Sequence, residues 1–183
     1  MSSRGLRALT TAFAVVLLLL TTSGCSSVTD TLPACSSVTR LAVVAQSAPS
    51  AAYLPCLREL PTGWESEDFD PATGGTRFTL LSDRADGRTV DVRLQRHCDV
   101  TGASPEPPRT VGGRTYLRLR SISPRYSGTL YDVFPGGCVS YRVDFARGPH
   151  IALMEQLQAA VGLLPRRQLR LELQHQLGVE LDP

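Results

Sequence analysis

The chain has no lysine, no asparagine and only two isoleucines, Ile122 and Ile151, among 183 residues. Codons for these three residues are AT-rich, so the composition fits a GC-rich genome, such as that of a high-GC Gram-positive bacterium. Histidine is equally sparse. His97, His150 and His175 are scattered, and no C-x-x-C or H-x-x-x-H spacing occurs. His97, Cys98 and Asp99 are contiguous, and neighbours on a strand point to opposite faces, so they make a poor metal cage. No metal site and no cofactor is expected. Gly-x-Ser-x-Gly, a phosphate loop and a dinucleotide fingerprint are also missing, which removes the best-marked hydrolase and nucleotide-binding classes.

A long apolar run is missing too. Ala8–Leu20 is the longest candidate, and as a helix it would span roughly 20 Å, short of the roughly 30 Å hydrocarbon core. Arg4 and Arg7 precede it and the small residues Thr21–Gly24 follow. This is the layout of an export signal. The arginines are not adjacent, so a general secretory signal is expected and not a twin-arginine one. Ser23-Gly24-Cys25 resembles the lipobox of bacterial lipoproteins, with Thr22 where that family usually has an aliphatic residue. The resemblance implies that Cys25 is acylated and becomes the first residue of the mature chain.

Cysteine parity points the same way. Five cysteines, Cys25, Cys35, Cys56, Cys98 and Cys138, are awkward for an exported chain because one thiol would be left over. With Cys25 lipidated, four remain to pair. The favoured bridges are Cys98–Cys138 and Cys35–Cys56, although four cysteines allow three connectivities. The competing reading makes Cys138 a nucleophile on a glycine turn, with His97 or His150 as its base.

The expected organisation is a signal over residues 1–24, a lipidated tether over 25–34, and a single disulfide-stapled domain over 35–183. Removing Arg4 and Arg7 leaves 17 basic against 17 acidic side chains. Nucleic acid is therefore not an expected partner. The expected partners are membrane lipid through Cys25 and an envelope protein or small ligand, at the outer face of the cell membrane.

Residues 36–60 read as one short helix followed by irregular chain, because Pro49, Pro55 and Pro61 interrupt them. From Trp64 to Phe145 the pattern is β. Thr76–Leu81 and Thr89–Leu94 alternate around the turn SDRADG, the best hairpin in the chain. GASPEPPRTVGG reads as a loop. TYLRLRSI, TLYDVF and CVSYRVDF follow as strands, with Arg118 and Arg120 opposite Leu117 and Leu119, and with Ser140, Arg142 and Asp144 opposite Val139, Tyr141, Val143 and Phe145. One apolar and one polar face per strand indicates an antiparallel sheet covered on one side.

Beyond Gly148-Pro149 the period becomes helical. Leu153, Leu157, Ala160, Val161 and Leu164 mark one helix; Leu169, Leu173 and Leu177 mark a second, with a strand as its alternative. The expected fold is α+β: an antiparallel sheet of five to six strands with C-terminal helices packed on one face. The opening PTGW and the sheet-then-helix order are similar to PsbP-like lipoproteins, and no function is taken from that similarity.

Two surfaces are candidates. Arg166, Arg167 and Arg170 on the last helix could meet anionic headgroups or an acidic partner, against a solvated helix face. Tyr126, Tyr131, Phe134 and Tyr141 cluster around Pro135-Gly136-Gly137. Of these, Tyr131, Phe134, Gly136 and Gly137 form the candidate binding face, since glycine permits close backbone approach and aromatics bury large areas, against a sheet-core role. With no catalytic motif, a non-catalytic binding or interaction module is expected, and a secreted envelope hydrolase with an unrecognised site is the alternative.

Overall fold

The computed structural model describes residues 32–181. The segment expected to be an export signal, the expected lipobox and Cys25 lie outside the described residues. Helix α1 (Val38–Ser47) opens the domain and strand β1 (Tyr53–Leu57) follows it. The main sheet comprises β2 (Trp64–Ala72), β3 (Gly75–Ser82), β4 (Gly87–Gln95), β5 (Ser104–Glu106), β6 (Arg114–Ser121), β7 (Tyr126–Phe134) and β8 (Gly137–Phe145). Helix α2 (His150–Ala160), strand β9 (Val161–Pro165) and helix α3 (Arg166–Leu177) complete the chain.

The architecture is α+β, with seven strands in the antiparallel sheet where five to six were expected, and a separate two-stranded ribbon of β1 and β9. The sheet order is β2-β3-β4-β8-β7-β6-β5. Two meanders, β2–β4 and β5–β8, therefore meet where β4 pairs with β8. The extra strands lie at the edges. β5 is three residues drawn from the stretch read as a loop, and β2 carries an irregularity between Glu67 and Asp70.

The apolar face forms as the alternation requires. Phe78, Val90, Val92, Tyr141, Val143 and Phe145 are all buried. Leu41 and Val44 of α1, Leu153 and Leu157 of α2, and Leu169 and Leu173 of α3 join the same core. Burying each such side chain stabilises by roughly 1.5–3 kcal/mol, so one face per strand fixes the register. The Trp64 indole N–H donates to Gln156 Oε1 at 2.9 Å, tying β2 to α2.

Two local expectations are corrected. Residues 53–57 are a strand, not irregular chain. Pro55 is accommodated because a two-stranded ribbon leaves one side of the strand without a ladder partner there. The first C-terminal helix stops at Ala160. Val161 and Leu164, expected on its apolar stripe, instead lie in β9, where they pair with Leu57 and Leu54.

Both expected disulfides are present. Cys35–Cys56 spans 4.9 Å between Cα atoms and Cys98–Cys138 spans 6.1 Å. The first packs its sulfurs over Gly162 of β9, where an added Cβ would lie 3.1 Å from Cys35 Sγ. The second fastens the β4–β5 crossover to the start of β8, next to Gln95, which pairs with Cys138.

Candidate functional site

The face of the sheet turned away from the helices is built in rows. Arg118 of β6, Thr129 of β7, Arg142 of β8 and Asp91 of β4 are successive cross-strand neighbours. The adjoining row runs Tyr116, Tyr131, Ser140, Arg93 and Arg77. Thr129 and Ser140 are short, whereas the arginines around them are long. Short floor and tall walls produce an open depression of about 280 Å³, lined among others by Arg93, Arg118, Arg120, Tyr131 and Arg142.

Electrostatics differ from one wall to the next. Arg77 and Arg93 both grip Asp91, through hydrogen bonds of 2.8 Å from Arg77 Nε and 2.6 Å from Arg93 Nε. Burial opposes ionisation of Asp91, but the two arginines outweigh it and hold its carboxyl below the usual range. Arg118 donates to the Asp99 carbonyl at 2.7 Å, lies 3.6 Å from the Asp99 carboxylate and rests over the Tyr131 ring at 5.4 Å. Arg120 and Arg142 come within salt-bridge distance of no carboxylate among the described residues. The depression thus has surplus positive charge.

Of the residues expected to form one binding face, Phe134, Gly136 and Gly137 line one cleft, and Tyr131 lies apart from them. Tyr131 and Phe134 are three apart on a strand and point to opposite faces. Tyr131 lines the depression, whereas Phe134 turns inward and packs on Tyr53, ring centroids 5.4 Å apart. The glycine turn serves the chain itself. A Cβ on Gly136, at φ +75°, would lie 1.7 Å from the Ser50 carbonyl oxygen. Ser50 Oγ donates to Gly136 O at 2.7 Å, and Ala52 N–H donates to Pro135 O at 3.0 Å. The close approach that glycine permits is made by residues 50–52.

Catalytic combinations fare no better. His97 lines a cleft beside Phe134 and Cys138, Asp99 lines the arginine depression, and His150 sits against Tyr126 at 5.3 Å between centroids. With Cys98 and Cys138 bridged, the nucleophile reading loses its thiol. Among the described residues no cluster of three His, Cys, Asp or Glu side chains could hold a metal ion. Of the arginines on α3, Arg167 and Arg170 are solvated. Arg166 is buried and donates to the carbonyls of Ala45, Ala48 (2.8 Å) and Ala51 (2.9 Å), capping the C-terminal end of α1.

The individual arginines were visible as strand alternation, but their meeting depended on register. Thr129 between Arg118 and Arg142 follows only once β7 is known to sit between β6 and β8, and Asp91 joins them only once β8 is known to pair with β4. Compared with protein-family models, curated proteins and solved structures, the chain matches none. Its function rests on this geometry. No helix among the described residues is long and apolar enough to cross a membrane.

Proposed function

We propose that this protein is a lipid-anchored, non-catalytic binding module at the outer face of the cell membrane, and that it works through the open face of its main sheet. The observation that carries this reading is the arginine-walled depression over Thr129 and Ser140. It is preorganised: β6, β7 and β8 are hydrogen-bonded neighbours, and the Cys98–Cys138 bridge holds the adjacent crossover. Rigid placement reduces the ordering cost of binding. Both carboxylates lining it are tied up, Asp91 by Arg77 and Arg93 and Asp99 by Thr101 N–H and Arg118. That supports capture of a ligand over its conversion.

The anchor is the acyl group on Cys25. A single acyl chain holds a protein only marginally, whereas two or three hold it stably. Cys25→Ser is expected to leave the protein unprocessed or released into the medium. A Cys25→Ser form that stays membrane-bound after signal cleavage would contradict the anchor.

The binding role is tested by native mass spectrometry of the protein isolated from cell envelopes. A bound species is expected whose mass stays constant on incubation and which is depleted in Tyr131→Ala. Conversion of envelope material by the purified protein would establish the hydrolase instead.

A further inference from the structure

We infer that the depression on the open sheet face is a site for a small solute bearing two or more oxyanion groups, phosphates or carboxylates. This rests on the face being a binding surface and adds the chemistry of what it takes.

Four arginines and two aspartates line the depression. Asp91 is held between Arg77 and Arg93, and Asp99 accepts the Thr101 backbone N–H at 2.9 Å besides pairing with Arg118. Both acids are thus engaged by other groups, while Arg120 and Arg142 are exposed and lie within salt-bridge distance of no carboxylate among the described residues, so they can meet an external anion. Arg118 is fixed in advance by Asp99 and by the Tyr131 ring. Its Nε–H is shielded from solvent and has no acceptor among the described residues, a shortfall that an oxyanion seated beside it would relieve.

Geometry sets the valence. Arg118 and Arg142 rise from strands on either side of β7, with Thr129 between them. Their backbones stand roughly 10 Å apart, two strand spacings. Long side chains leaning over a threonine can each take one anionic group of a single compact ligand. The guanidinium fork matches a carboxylate or a phosphate bidentately, so two groups gripped from opposite sides are favoured over one. The depression, about 280 Å³ and open to solvent, leaves room for a compact ligand such as a tricarboxylate or a diphosphate.

Calorimetric titration of the purified protein in neutral detergent micelles tests this, with pyrophosphate and citrate as probes and maltose as the uncharged control. Pyrophosphate or citrate is expected to bind saturably at one site, more weakly as salt is raised. Arg142→Gln, which breaks no salt bridge among the described residues and leaves Asp144 its Arg125 partner, is expected to weaken binding at least tenfold, and Arg167→Gln on α3 is expected not to change it. A parallel titration adds phosphatidylglycerol to the micelles. Binding seen only there, and lost in Arg142→Gln, would assign the site to a lipid headgroup and overturn the soluble ligand. Equal weakening by Arg167→Gln, or no saturable binding of either probe, would overturn the anion site. The binding module would survive that result if the native protein still carries its Tyr131-dependent adduct, so the two failures are distinguishable.

Discussion

Arg109 and Arg166 are the arginines that the domain keeps for itself. Arg109, in the connection between β5 and β6, donates to Asp132 at 2.9 Å and to the carbonyls of Gln158 and Val161. Asp132 is buried and also accepts from Thr115 at 2.8 Å. Beside them the Tyr141 ring lies 5.3 Å from the Arg109 guanidinium; burial, with the Asp132 charge, pushes its phenol far above the ordinary range, so it stays protonated. Removing one partner of a buried pair costs more than the pair contributes, because the other charge is stranded. Asp132→Asn is therefore expected to destabilise by about 3 kcal/mol in urea unfolding. A loss below about 1 kcal/mol, the worth of an exposed pair, would show that Arg109 is compensated elsewhere. Residue parity separates two aromatics that the sequence reading grouped. Tyr131 and Phe134 look adjacent in a string of aromatics, yet an odd spacing on a strand sends them to opposite faces.

Elements differ in how plainly the sequence announces them. β3, β4, β6, β7 and β8 each carry an inward apolar row, and each was legible, although burial reaches both faces around Tyr131 and Ser140. β5 is too short to alternate and contains Pro105; β1 contains Pro55; β9 reads as the continuation of a leucine-rich helix. Their pairing is decided by distant partners. The β1–β9 ribbon depends on Cys35–Cys56, which spans 21 residues. Closing a loop of that size stabilises by about 3 kcal/mol. In the Cys35→Ala, Cys56→Ala double variant, hydrogen exchange is expected to speed up in residues 53–57 and 161–165 while β4, β7 and β8 stay protected. Uniform deprotection across both sheets would show that the ribbon and the main sheet open together.

The Asp91 cluster links the elements to pH. Its carboxyl is more acidic in the folded protein than in the unfolded chain. The stability it contributes is present above the unfolded-state value and lost as pH falls through the lower folded-state value. Melting temperature is expected to drop below about pH 4, less steeply in Asp91→Asn than in the native protein. Identical acid limbs would remove Asp91 from the account. Because Arg77 and Arg93 are both substantially solvated, the effect is expected to be small and to shrink with salt.

At the scale of the whole molecule, a chain whose 17 basic and 17 acidic side chains balance after residue 24 has no net field to steer ligands. Its electrostatics are local. Sorting of charge by the pleat puts Arg118, Arg120, Arg142 and Arg93 on one open face, and the short residues Thr129 and Ser140 make that face concave. Composition, neutral overall, argued against nucleic acid, and the register of β6, β7 and β8 supplies the local charge on which the proposed small-anion site rests. The most direct measurement is a nuclear magnetic resonance titration with pyrophosphate, following backbone amides. Shifts confined to Thr129, Tyr131, Ser140, Arg142 and their neighbours on β6 to β8 are predicted. Shifts centred on the Pro135–Gly137 turn or on α3, with the β6–β8 rows unmoved, would contradict the account.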